Sequence, residues 1–237
     1  MPISISILYD NLSFEAGLES AWGFSCLIQG LEKTILFDTG GNGRILVSNM
    51  KNLGINPADI DLVLLSHEHN DHTGGLELFL TENPRATVLL PESFSLQIKQ
   101  MIKTQNGDYL KISQAEEICK DAYTTGELGD SIKEQGLVIK TQKGLLVITG
   151  CAHPGIIYML DRIRQNFRES FYLVLGGFHL FNLSEEEVEK IIGQFKEKRV
   201  FKSAPAHCSG DKARGLFEKG YGSDFVKLSV GTRVIVE

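Results

Sequence analysis

The chain of 237 residues holds six histidines, and half of them crowd into one stretch, His67-Glu68-His69-Asn70-Asp71-His72. Imidazole and carboxylate groups at this spacing form a compact set of metal donors. If the stretch leaves a strand, alternation puts His67 and His69 on one side, and a bend into a helix turns Asp71 and His72 toward a second point a few ångströms away. Nitrogen and oxygen donors without thiolate suit Zn2+, Mn2+ or Fe, one ion or two, at a catalytic rather than a structural site. The chemistry such a set supports is hydrolysis by metal-activated water, with Asp71 ligating and orienting the nucleophile. His153, His179 and His207 stand singly. A lone histidine is more often a satisfied core or surface residue than a ligand, so these gain meaning only if the fold delivers them to the cluster.

The elements that would deliver them can be read from apolar periodicity. Ile3, Ile5 and Ile7 alternate, and apolar runs at 22–28 and 34–37 flank a turn at Gly30, which predicts an antiparallel meander. A helix follows over 43–52, then a short buried strand over 61–65 that ends just before His67. Thr73 is placed as the cap of a helix beginning at Gly74-Gly75-Leu76, and residues 86–90 form the next strand. The span 92–135 is poorly patterned, with a helix over 92–103 and a loop over 126–130. Strands over 136–140 and 145–148 flank a turn at Lys143-Gly144. Ile156, Leu160, Ile163 and Phe167 keep helical spacing, and 171–175 is a strand. Ser184 and Glu187 have capping-box spacing ahead of Val188, Ile191, Ile192 and Phe195. A strand over 200–205, a helix over 211–219 and a strand over 225–236 complete two successive β-rich halves, expected to form one domain over 1–237 with helices outside.

The cluster His-x-His-x-Asp-His followed by Thr73-Gly74-Gly75-Leu76 resembles the metal motif of the metallo-β-lactamase superfamily. Phe37-Asp38-Thr39-Gly40, Thr149-Gly150-Cys151-Ala152-His153 and Ala206-His207-Cys208 resemble its other site segments. More narrowly, Thr125-Gly126-Glu127, His153-Pro154-Gly155-Ile156, Gly176-Gly177-Phe178-His179-Leu180 and His207-Cys208-Ser209-Gly210 are similar to the dihydropterin-ribofuranosylaminobenzene-phosphate synthase-like subfamily. The resemblance implies an α/β fold, an αβ/βα four-layer sandwich of two mixed sheets with the site at one edge. It implies that His67, His69 and His153 hold one metal and Asp71, His72 and His207 a second, with Asp38 orienting a ligand histidine. Many superfamily members carry a bridging aspartate after the strand that ends here in Gly176-Gly177. This chain has Phe178 and His179 instead, which leaves His179 as a proton donor, a substrate contact, a further ligand of the second metal or a residue that only packs. Cys151 and Cys208 are read as buried free cysteines, with thiolate ligation or nucleophilic attack as the alternative. Glu68 and Asn70 fill the variable slots of the motif as solvent-side or loop-stabilising residues.

Composition narrows the partners. An apolar fraction of 42% and a charged fraction of 23% describe an ordinary compact protein. The formal net charge is -6, and no basic run is long enough to track a nucleic-acid backbone. The N-terminus lacks a basic segment followed by an apolar one, and no stretch reaches the roughly 20 apolar residues that span a bilayer, so a cytoplasmic protein with reduced thiols is expected. Backbone N–H groups near Thr73-Gly74-Gly75 and Ser209-Gly210, with Lys212 or Arg214, are candidates for holding an anion. The leading expectation is a metal-dependent hydrolase of a phosphoester or other anionic small molecule. Its rivals are a synthase or transferase of the kind the subfamily label implies, and a non-catalytic ligand-binding or sensor protein.

Overall fold

The computed structural model describes residues 2–237. The chain runs β1 (Ile3–Tyr9), β2 (Ser25–Gln29), β3 (Ile35–Phe37), α1 (Gly43–Asn52), β4 (Leu62–Leu64), α2 (Asn70–Thr73), α3 (Leu76–Glu82), β5 (Thr87–Pro91), α4 (Leu96–Thr104) and β6 (Asp108–Ile112). It continues with β7 (Glu116–Cys119), β8 (Ala122–Thr124), β9 (Leu137–Thr141), β10 (Gly144–Thr149), α5 (Ile156–Asn166), β11 (Phe171–Gly177), α6 (Glu185–Glu197), β12 (Val200–Ala206), α7 (Asp211–Tyr221) and β13 (Arg233–Val236). Two mixed sheets result, ordered β13-β1-β2-β3-β4-β5-β6 and β12-β11-β10-β9-β8-β7.

Three apolar clusters make these sheets the inner layers of a four-layer sandwich. Ile5, Ile7, Phe37 and Leu64 of the first sheet meet Leu137, Ile139, Leu146 and Leu173 of the second in a central core. The outer face of the first sheet, with Leu36, Val63 and Val88, packs on Leu46 of α1, Phe79 of α3 and Ile102 of α4. The outer face of the second, with Val147 and Val174, packs on Met159 of α5, Phe195 of α6 and Phe217 of α7. Alternation thus sends successive side chains of one strand to different cores, which is why the strands read as nearly continuous apolar runs.

The pairing directions decide where the chemistry falls. Strand β3 is parallel to β4, and β10, β11 and β12 are parallel to one another. Their carboxyl ends therefore emerge at one edge of each sheet, the edge at which open α/β sheets hold their ligands. Asp38 follows β3, His67 follows β4 by two residues beyond Leu65, Cys151 and His153 follow β10, His179 follows β11, and His207 follows β12.

Local expectations hold where a face is buried and fail where it is not. The capping box of Ser184 and Glu187 starts α6 as its spacing predicts. Thr73 is not a cap: it ends the short α2, and its hydroxyl donates to the His69 carbonyl while Gly75 precedes α3. Helix α4 begins at Leu96 rather than at 92, because the Ser95 hydroxyl accepts from the Ile98 N–H and sets the boundary there. Strands β6, β7 and β8 lay hidden in the poorly patterned middle. Strands β6 and β7 are sheet edges whose residues are largely exposed on both faces, so no alternation marks them. The final strand is confined to Arg233–Val236, since Phe225 and Val230 make only isolated bridges to Ser203 and Ser13.

The outer cluster of the second sheet anchors the loop that carries His179. Phe178 packs against Phe195 and Phe217 with ring centroids 5.5 and 5.7 Å apart. Phe195 is fully buried, so Phe195→Ala should destabilise the protein by about 3–5 kcal/mol, read as a lower midpoint in urea with an unchanged slope.

Candidate metal centre

The strand ends bring all six histidines to one place. Atoms of His67, His69 and His153 that can ligate lie within 4.8 Å of one another, and so do those of Asp71, His72 and His207. The ring of His67 is 4.6 Å from that of His69, 4.6 Å from that of His153 and 4.2 Å from that of His72. His179 stands beside the first set, its ring 4.6 Å from that of His153. Several of these positions bend the backbone sharply: Asp38, Ala152, His179 and His207 have φ of 54°, 58°, 55° and 45°. Such left-handed residues off glycine are costly and gather where the surrounding fold holds a site in place.

Each buried ring is oriented through its Nδ1. Asp38 accepts from the Ser66 N–H at 2.6 Å, from the Ser66 hydroxyl at 2.7 Å and from His72 Nδ1 at 2.7 Å. With that hydroxyl committed to Asp38, its oxygen takes the Nδ1–H of His67 at 2.9 Å. Glu134 accepts from His153 Nδ1 at 2.9 Å and from the backbone N–H groups of Cys151, Ala152 and His153 at 2.7 to 2.9 Å. Asn11 Oδ1 accepts from His207 Nδ1 at 3.0 Å, and the adjacent Asp10 accepts the His207 N–H at 2.9 Å. A proton fixed on Nδ1 leaves Nε2 with a free lone pair, the form that binds a metal.

The lone pairs of His67 and His207 have no protein partner that suits them. His67 Nε2 is buried and makes no hydrogen bond. His72 Nε2 and His207 Nε2 face one another at 3.3 Å, two acceptors in contact, with Asp71 Oδ2 3.2 Å from His207 Nε2. A cation resolves both conflicts, so these residues fit a divalent metal. The electrostatics agree: burial pushes His67 and His72 down to about 3, which keeps them neutral. Burial would raise Asp71, but its close approach to His207 Nε2 and the nearby His72 hold it below the usual carboxylate range. Burial pushes Asp38 up to about 7, against the pull of His67 and Ser66.

Glu134, Asn11 and Asp10 were not foreseen among the site residues. The two sheets can meet around Asp38 only because residue 150 is glycine; a Cβ there would lie 2.1 Å from Ser66 Oγ and 3.0 Å from Asp38 Oδ2. Glu68 stabilises its loop by accepting the Ser95 N–H at 2.6 Å. The anticipated anion cradle is largely spent. Gly74 N–H bonds Asn70, Gly75 N–H bonds Gly40, and Arg214 pairs with the buried Asp10 at 2.8 Å. Lys212 stays exposed in the first turn of α7. Because Glu134 holds the His153 ring, Glu134→Gln should weaken metal binding by about 10–100-fold, measured by titration against a competing chelator.

Comparison with known proteins matches this architecture. A family model described as the metallo-beta-lactamase superfamily matches residues 23–100. The 7,8-dihydropterin-6-methyl-4-(beta-D-ribofuranosyl)-aminobenzene-5'-phosphate synthase of Methanocaldococcus jannaschii is 31% identical, with 94% of this chain and 92% of that protein covered. The crystal structure of Tm1679, a metal-dependent hydrolase of the beta-lactamase superfamily, superposes with a TM-score of 0.81 and 30% identity over 98% of both chains. The metallo-beta-lactamase fold protein YhfI of Bacillus subtilis shares the fold at a TM-score of 0.70 and 13% identity, covering 99% of this chain and all of its own. With a relative above 30% identity aligned over nearly its full length, and with the donor set of the motif gathered at the strand ends, the chain belongs to the metallo-beta-lactamase superfamily.

Proposed function

We propose that the protein is a metal-dependent hydrolase of a phosphoester or another anionic small molecule. The observation that carries this reading is the buried, partnerless Nε2 of His67 amid the converging donors of His69, His72 and His153. An unsatisfied buried polar atom costs about 1–3 kcal/mol, and ligation removes that cost. His67, His69 and His153 would hold one divalent ion and Asp71, His72 and His207 a second, which would supply Lewis-acid activation of water and of an ester oxygen. Zinc is the first choice, with Mn2+ or Fe as alternatives.

The chain's own residues supply the rest. Asp71 is partly open to solvent and held ionised, so it can orient the attacking water by accepting its hydrogen bond. His179 is exposed at the mouth, and its contact with the Cys208 sulfur raises its pKa. A protonated imidazole there can hand its proton to the oxygen of the leaving group. Trp22 and Phe181 flank the same mouth, with ring centroids 4.8 Å from His207 and 5.4 Å from His179. The four cysteines are unpaired, which suits a reducing, cytoplasmic setting, and among the described residues no helix is long and apolar enough to cross a membrane.

A second reading has its own support. The methanogen relative is named a synthase, and the same donors could hold phosphate-bearing reactants while a pterin-type phosphate is joined to an aminobenzene ribofuranosyl phosphate. Turnover separates the two. The metal-loaded protein should hydrolyse bis-aryl or mono-aryl phosphates, and chelation or His67→Ala should lower the rate by more than about 100-fold, beyond what loss of a residue that only orients a ligand produces. Inertness toward esters with activity on a pterin diphosphate selects the synthase. Tight ligand binding without either activity makes the chain a binding protein.

A further inference from the structure

The two donor sets, His67, His69 and His153 on one side and Asp71, His72 and His207 on the other, share no residue. Strand β11 lies between the strands that lead to His153 and His207, yet it brings no carboxylate to the gap. A side chain at Gly177 has no room, since a Cβ there would lie 2.2 Å from the Gly150 carbonyl oxygen and 2.7 Å from Cys208 Sγ. The atom that does reach both sets is a sulfur. Cys151 Sγ lies 3.2 Å from His72 Nε2. It falls within 4.8 Å of ligating atoms of His67 and His72, of His207 and Cys208, and of His153 and His179. His67 and His153 belong to the first set; His72 and His207 belong to the second.

We propose that Cys151 binds as a thiolate bridging the two metal positions, in the gap where this chain offers no carboxylate. The inference rests on the metal-centre reading above. No redox change is involved: the S–H bond breaks, its proton leaves to solvent, and two lone pairs of the sulfur form the two metal–sulfur bonds. The spacings suit such a role. Tetrahedral zinc with Zn–N near about 2.05 Å and Zn–S near about 2.3 Å places its ligand atoms about 3.3 Å (N to N) and about 3.6 Å (N to S) apart. The structure has 3.3 Å between His72 Nε2 and His207 Nε2, and 3.2 Å between His72 Nε2 and Cys151 Sγ. A sulfur bridge also selects the metal, favouring Zn2+ or Fe2+ over Mn2+ or Mg2+. Cys208 has a different task. Its thiol points at the Cys151 carbonyl oxygen, 3.7 Å away, and its sulfur packs on Gly177, so it braces the loop that carries Cys151.

Two measurements on the full-length protein test this. X-ray absorption at the zinc edge of the two-zinc protein should show a sulfur shell at about 2.3 Å, averaging one sulfur per zinc because both ions see the same atom. Titration of metal-free protein with Co2+ should raise a thiolate-to-metal charge-transfer band through both equivalents. The band should vanish in Cys151→Ser and persist in Cys208→Ser. An absent sulfur shell overturns the bridge, and so does half a sulfur per zinc with a band complete at one equivalent, which marks a terminal ligand. Loss of the band in Cys208→Ser alone also overturns it. The scattering needs no variant, so a misfolded Cys151→Ser protein leaves the test intact. Failure to bind metal at all sinks the metal-centre reading together with the bridge; two bound ions without sulfur sink the bridge alone.

Discussion

Three donors converge on the carboxylate of Asp38, which has no exposure to solvent: the Ser66 N–H, the Ser66 hydroxyl and His72 Nδ1. Through Ser66 the same carboxylate also sets His67, so one buried anion orients a ring in each of the two donor sets. Its position follows from the parallel pairing of β3 and β4, which brings Asp38 and Ser66 side by side; the Asp38 N–H bonds the Leu64 carbonyl at 2.9 Å. Removing the carboxylate would strand these donors, each at about 1–3 kcal/mol. Glu134 and Asn11 repeat the arrangement for His153 and His207. The site is thus a set of imidazoles whose outer nitrogens are tied down so that their inner nitrogens converge.

That arrangement is unfavourable in the chain alone and favourable around a cation. Neutral imidazoles buried with facing lone pairs gain nothing from one another, and burial of Asp38 opposes its ionised form. A positive charge at the centre reverses each of these signs. The fold holds the residues together by other means, through three apolar clusters and five parallel strand ends. Stability and function are therefore divided: the clusters hold the sheets, and the sheets hold an edge that is itself strained.

Much of this was legible in the sequence, for physical reasons that differ by residue. His67, His69, Asp71 and His72 are local, so spacing alone marks them. The capped helix of Ser184 and Glu187 is legible because its start is a side-chain to backbone exchange within four residues. His153 and His207 gained meaning from their flanking segments, and the structure places both at the cluster. Glu134 was not legible, since its role depends on a loop crossing over Cys151 to His153 and no local pattern encodes that approach. Asp10-Asn11 did carry a signal: a polar pair directly after an apolar strand, the same pattern that marks Asp38 after β3. The edge strands β6 and β7 lacked the alternation that burial imposes.

The central claim is that the lone pair left on His67 Nε2 belongs to a metal. Anomalous diffraction at the zinc edge from crystals of zinc-reconstituted protein tests it most directly. A peak is expected about 2.0–2.1 Å from His67 Nε2, at a position shared with His69 and His153. A well-ordered site with no anomalous peak within bonding distance of that nitrogen would contradict it.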